Sequence, residues 1–270
     1  MPLRSLIKIG LSLLLLSFVL VGITYNLLKT YGTASPTSTA GRTLSSETRK
    51  VDAMVTTLDL NGPIDMVLRQ GPTPSLRVQG EQRSLSNIET LQDGRDLTIR
   101  TTGMLLNPRH RLQVELVLPQ LSELILRGSG NAKVSGFNGE RMELLLNGSG
   151  NAVFNGRYRR LEASVRGSGE LDLNAGNSEY VELDMRGSGR IMASGSCKTM
   201  VANLNGSGNL DARHLAADKV DATVRGSGTG RVFARNWVEV MLNGSGNMHV
   251  YGNPGDRTVT RNGSGSVHWE

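Results

Sequence analysis

Cysteine, histidine, proline and aromatic residues are all scarce in this 270-residue chain, which holds one Cys, four His, eight Pro and only 4% Phe, Trp and Tyr combined. The single thiol, Cys197, excludes an internal disulfide and any cysteine metal cluster. With no reactive motif around it, Cys197 reads as a buried or incidental residue. The shortage of aromatics argues against a groove that stacks sugar rings. His110, His214, His249 and His268 are scattered, and only His249 and His268 fall at equivalent places in successive repeats. No Ser/His/Asp set or glycosidase carboxylate pair can be drawn from such a chain, so no catalytic residue and no cofactor is assigned.

Charge is just as uninformative about a nucleic-acid partner. The formal net charge of +6 splits unevenly: residues 1–50 carry six Lys/Arg against one acid, 51–120 carry seven against eight, and 121–270 carry seventeen against fifteen. The excess sits at the N-terminal end, whereas a nucleic-acid binder concentrates it on the folded face. There, Arg4 and Lys8 precede an apolar stretch from Ile9 to Leu28, long enough to cross a bilayer at ~1.5 Å per residue. Residues 1–31 are therefore expected to be a signal peptide or an uncleaved signal-anchor helix, with Gly32 and Ala34 offering a cleavage site. Positive charge ahead of the helix places the rest of the chain outside the cytoplasm. Residues 32–50, rich in Ser, Thr, Pro and Gly, read as a flexible linker to a domain spanning 51–270.

What the chain has in abundance is a repeat. Gly-Ser-Gly occurs eight times, beginning at Gly128, Gly148, Gly167, Gly187, Gly206, Gly226, Gly244 and Gly263, in steps of 18 to 20 residues. Before each copy the residues alternate, as in Leu161, Ala163, Val165 against Glu162, Ser164, Arg166, which marks a strand with one buried face. Short inward pairs follow each copy, among them Ala152/Phe154 and Leu171/Leu173. A meander of hairpins and a parallel β-helix both satisfy the alternation. The unvarying corner favours the β-helix, where equivalent residues stack at ~4.8 Å and every bend must share one backbone shape. The fold class is thus an all-β solenoid with coils of 18–20 residues over 121–270. Residues 51–120 form an irregular opening section and cap, with strand candidates Met54–Leu60, Asp65–Arg69, Leu76–Gln79, Leu97–Thr101 and Leu112–Leu118 and a short helix around Leu85–Leu91. At the other end Arg261 takes a place where earlier coils bury an apolar residue, which discourages end-to-end growth.

The corner Leu-Arg/Asn-Gly-Ser-Gly-Asn, the opening Leu60-Asn61-Gly62-Pro63-Ile64-Asp65-Met66-Val67 with Gln70-Gly71, and Val114-Glu115-Leu116-Val117-Leu118-Pro119 together resemble the head GIN domain family of auto-transporter adhesins, over about residues 51–270. The resemblance implies a right-handed parallel β-helix on an exported bacterial envelope protein. Its label implies adhesion, and it supplies no catalytic residue.

Two outward columns follow from the repeat. Five places before each corner stand Glu123, Glu143, Glu162, Glu182, Val201, Asp221 and Glu239. Like charges ~5 Å apart repel by roughly 1 kcal/mol even in high dielectric, so compensation is needed. Arg141, Arg160 and Lys219, two residues earlier on the same face, can provide it as a salt-bridge ladder. The other arrangement is a divalent cation bridging Glu143, Glu162 and Glu182. One place before each corner stand Arg127, Asn147, Arg166, Arg186, Asn205, Arg225, Asn243 and Asn262. These present donors that can grip an extended acidic or hydroxylated polymer through many weak contacts, or cap the corner backbone. The Gly-Ser-Gly corner is no phosphate cradle, since no helix follows it. The expectation is a non-catalytic envelope protein, periplasmic or surface-facing, with a polysaccharide or cell-surface polymer as partner and the membrane met through the N-terminal helix. A carbohydrate-active β-helix enzyme and a purely structural module are the competing readings.

Overall fold

The alternation becomes a single 17-stranded sheet wound into a β-solenoid. The computed structural model describes residues 43–103 and 110–270, together with Ser17, Leu20 and Val21. The expected signal or anchor helix lies outside these residues apart from those last three, which are helical. Among the described residues no helix is long and apolar enough to cross a membrane.

Six long strands make the regular body: β9 (Asn131–Gly148), β10 (Asn151–Gly167), β11 (Glu170–Gly187), β12 (Arg190–Gly206), β13 (Asn209–Gly226) and β14 (Thr229–Gly244). Each pairs parallel with the next, and corner falls on corner: Gly148 on Gly167, Gly167 on Gly187, Gly187 on Gly206 and onward. At five of the corners two amides converge on one carbonyl of the coil below, as when Ser168 N and Gly169 N both donate to Gly148 O at 3.0 Å. The first corner glycine has φ between about +118° and +135°, a region closed to side chains, which is why it recurs.

Inward positions are filled by the alternating set, including Leu161, Ala163 and Val165 at 2% exposure or less. Each long strand also bends at a second point, where the register shifts, as between Asn155 and Arg157 or Asn174 and Asn177. Behind that bend a further buried file runs through Ser178, Cys197, Ala217 and Ala234. At roughly 1.5–3 kcal/mol for each large aliphatic side chain removed from water, this continuous core is the main force holding coils together.

The N-terminal section departs from sequence order. The strands are β1 (Leu44–Arg49), β2 (Thr57–Asn61), β3 (Ile64–Gln70), β4 (Ser75–Glu81), β5 (Ile88–Asp93), β6 (Asp96–Thr101), β7 (Leu112–Leu118) and β8 (Glu123–Gly128), with one helical turn at Gln82–Leu85. The β2/β3 coil sits between the later β6/β7 coil and the β8/β9 coil, pairing parallel with both. Gly62, at φ +126°, lies beneath Gly128 as a ninth corner built without Gly-Ser-Gly. Antiparallel strands close this end: β4 on β7, β1 on β4 and β5 on β6.

Two expectations are corrected here. The linker assigned to 32–50 contains β1, because the Arg49 guanidinium donates to Ile88 O at 2.8 Å and to Thr90 Oγ1 at 2.7 Å, tying the strand across the cap. The helix expected around Leu85–Leu91 is only the turn Gln82–Leu85. From Ile88 the chain is a strand because Ile88 and Thr90 are β-branched and Asp93↔Asp96 closes a two-residue hairpin with Gly94 at φ +57°.

At the C-terminal end, β15 (Asn247–Tyr251), β16 (Asp256–Asn262) and β17 (Ser266–Trp269) form the last coil. Arg257 and Arg261 occupy its inward register opposite Val238 and Leu242, and the Arg257 guanidinium lies 4.6 Å from the Trp269 ring centre. Charge at an inward place deters pairing with another edge.

Candidate functional site

The parallel register turns both sequence columns into physical files. Residues one place before the corner stack in the order Arg100, Asn61, Arg127, Asn147, Arg166, Arg186, Asn205, Arg225, Asn243, Asn262. The first two were missed from the repeat because their coils carry no Gly-Ser-Gly; the signal was Leu60-Asn61-Gly62, which copies the start of the later corners. Along this crest Arg127 pairs with Asp59, and Arg186 with Asp184 at 2.9 Å. Arg166 and Arg225 are exposed and enter no ion pair among the described residues. Asn262 Nδ2 donates to Asn243 Oδ1 at 3.0 Å, so the asparagines at one end do stack on each other. Beside the crest runs the file of corner serines, exposed from Ser149 to Ser264, with Ser264 Oγ donating to Ser245 Oγ at 3.0 Å.

The acidic file is also in register, Glu123 on Glu143, Glu162, Glu182, Val201, Asp221 and Glu239. Its compensation is basic and local. Arg141 reaches Glu143 at 3.5 Å and Glu162 at 3.0 Å, and Arg160 reaches Glu162 at 2.6 Å. Tyr180 Oη donates to Glu182 at 2.8 Å while the Arg160 guanidinium lies 4.1 Å from the Tyr180 ring centre. Burial alone pushes the Glu162 carboxyl up, but the hydrogen bond from Arg160 and the charge of Arg141 override it and hold Glu162 below the usual carboxylate range. Glu123 has only the charge of Arg127 on its side: partial burial, then Glu143, Asp96 and Asp59, outweigh it and raise the carboxyl. Among the described residues no three His, Cys, Asp or Glu come together as a metal-holding group. A cation at Glu143, Glu162 and Glu182 would have to displace two arginines.

The histidines behave as their spacing implies. His249 and His268 are register partners with ring centres 4.9 Å apart, and His249 Nδ1 lies 2.6 Å from Glu270 Oε1. Cys197 is 3% exposed, and burial followed by the charge of Asp218 pushes its thiol up to about 12, so it is neutral and inert as a nucleophile.

The fold has solved counterparts. A putative adhesin of Parabacteroides distasonis matches with a TM-score of 0.78 at 22% identity, covering 84% of this chain and 97% of the other. A putative adhesin of Parabacteroides merdae gives 0.77 at 19%, with 84% and 96% covered. A putative lipid binding protein of Parabacteroides distasonis gives 0.74 at 24%, again with 84% and 96% covered. These likenesses speak for the fold alone. No curated protein matches the chain significantly. The model of the family described as "putative auto-transporter adhesin, head GIN domain" matches residues 55–254, a span running from the capping coil to the last full turn, and the chain belongs to that family.

Proposed function

We propose that this protein is a non-catalytic, exported envelope protein that holds an extended acidic or hydroxylated polymer, such as a surface polysaccharide, along its corner crest. The coil winds right-handed, as the family resemblance implies and as parallel crossovers almost always do. The apolar stretch Ile9–Leu28 directs export, as a cleaved signal peptide or as an uncleaved anchor that tethers the head outside the cytoplasm. The observation that carries the reading is the in-register crest, where Arg166 and Arg225 lack carboxylate partners among the described residues and serines stand alongside. Each contact is exposed and individually weak, but repetition at ~4.8 Å multiplies effective affinity for a polymer that spans several rungs. The family's adhesin description agrees with this use.

Retention of the full-length chain on immobilised dextran sulfate, against unmodified dextran, tests the proposal. The wild type should be held on the sulfated matrix and released by salt. The Arg166→Glu/Arg186→Glu/Arg225→Glu variant should lose at least tenfold in retention with its melting temperature kept. Equal retention of that variant, or release of new reducing ends from the polymer, overturns the reading.

A further inference from the structure

A second surface of this molecule differs in character from the crest. On the outward face of the N-terminal coils two clefts of about 310 and 340 Å³ adjoin, sharing Val67 and Glu115 as a common wall. They cross five neighbouring strands, β4, β7, β3, β9 and β10, which are consecutive partners in the sheet. Four strand spacings of ~4.8 Å give a groove about 19 Å long.

Its floor is unlike the rest of the outer face, where polar residues prevail. Val117 on β7, Val67 on β3 and Val153 on β10 all point outward into the clefts. Val153, 37% exposed, is the one large aliphatic side chain open to solvent among the described residues of β8 to β14. Lys133 sits between Val67 and Val153 in the register, so its methylene stem continues the floor while its ammonium stays in water.

The rim is basic once internal pairs are set aside. Asp65 is engaged, accepting from Asn131 N at 2.8 Å and facing Arg111 at 3.5 Å. Glu115 stands opposite Arg77 in the β4–β7 register without forming an ion pair among the described residues, so it is one exposed carboxylate against Arg69, Arg77 and Lys133 along the two clefts. Arg69 and Lys133, both exposed, enter no ion pair among the described residues. An apolar strip beside a rim in which cations outnumber carboxylates is complementary to a molecule with an alkyl chain and an acidic head. No aromatic side chain lines either cleft, so a sugar finds no ring to stack on.

We propose that this groove binds a single-chain anionic amphiphile, a free fatty-acid-like molecule, with its alkyl chain over Val67, the Lys133 stem and Val153 and its acidic head toward Arg69 and the Lys133 ammonium. The site is separate from the crest and stands or falls without it.

Calorimetric titration of the full-length chain with dodecanoate below its micelle concentration tests this, beside dodecyltrimethylammonium and butanoate. The result expected is saturable one-to-one binding of dodecanoate alone. Val153→Asp and the double variant Arg69→Glu/Lys133→Glu should each weaken it at least tenfold, whereas Arg166→Glu/Arg225→Glu leaves it unchanged. All these side chains are exposed, and an unaltered melting temperature checks that each variant folds. Equal binding of the cationic amphiphile, indifference to Val153→Asp, absence of dodecanoate binding, or binding only to phosphatidylglycerol vesicles would each overturn the assignment.

Discussion

Replacing Gly226 by alanine tests the claim that flush stacking at the corners holds the solenoid. Gly226 has φ +119°, and a Cβ placed there would lie 2.5 Å from Gly206 O and 3.2 Å from Gly206 C, both backbone atoms of the coil below. Neither can swing aside, so the rung must widen. Strain at that φ costs about 1–3 kcal/mol. Widening also weakens the bonds from Ser227 N and Gly228 N to Gly206 O, each 3.0 Å long, at about 0.5–1.5 kcal/mol apiece. The sum is roughly 2–6 kcal/mol, and at about 2–4 °C per kcal/mol for a domain this size, a fall of about 10 °C in melting temperature is expected.

Two other glycines separate the contributions. Gly94 shares a positive φ, +57°, but an added Cβ meets nothing within 4 Å, so its alanine variant should lose only about 1–2 kcal/mol. Gly255 has neither feature, its nearest neighbour being Asn236 O at 4.0 Å, and should change by under about 0.5 kcal/mol. Calorimetric melting of the three variants gives the ranking. If Gly226→Ala loses no more than Gly94→Ala, the argument from backbone contact between coils is refuted. Hydrogen exchange adds a spatial check, because contacts in a solenoid are nearest-neighbour and protection should fall first in the coils flanking Gly226.

Three further perturbations have defined outcomes. Glu123→Gln should stabilise the protein at neutral pH by up to about 1 kcal/mol; the Glu123 carboxyl is raised in the fold, so its ionisation costs stability as pH rises through the carboxylate range, and the variant's advantage must vanish in acid. A urea midpoint that moves equally at both pH values would contradict this. Cys197, raised to about 12 by burial, should resist iodoacetamide in mildly alkaline buffer and react once urea is added, and equal rates in both conditions would show the thiol to be accessible. Its neutral form favours the fold, so that contribution is intact below the ordinary cysteine range and drains away as pH climbs toward 12. Tyr158→Phe removes the buried donor that bonds Leu121 O at 2.6 Å and should lower stability by about 1–3 kcal/mol; an unchanged urea midpoint would mean that the carbonyl finds another partner.

The body of the fold was legible because its two strongest signals, alternation and the corner, repeat in register and so reinforce one another. Leu183 and Met185 point inward in the sequence pattern and are fully buried in the structure. The cap was less legible because there the chain order and the stacking order differ. Nothing local to Thr57–Gln70 says that its lower neighbours are β6 and β7, which come later in the chain. The β5 strand hid for a different reason: Leu85, Ile88 and Leu91 sit at helical spacing, and only the Asp93-Gly94 turn and the β-branched residues argued otherwise. Both outward files could be read from spacing, but the valine groove could not. Val67, Val117 and Val153 are brought together by strand pairing across the misordered coils, and each alone looks like an ordinary break in the polar face.

The uneven step of the repeat, 18 to 20 residues, needs a physical home, since a single slipped residue would turn every inward side chain out. The register locates it. From Arg160 to Gly167 and from Tyr180 to Gly187 the spacing before the corner is constant, and Asn151, Glu170, Arg190, Asn209, Thr229 and Asn247 all lie three residues past the first corner glycine. The shifts fall instead at the second bend, between Asn155 and Arg157, Met192 and Ser194, and Ala212 and Ala216. Length variation is thus absorbed on the side away from the corner, and the crest of arginine, asparagine and serine stays aligned through coils of unequal size. The corner cannot absorb the variation, because its first glycine combines a positive φ with backbone of the coil below within 2.5 Å of an added Cβ, and the crest inherits its alignment from that constraint.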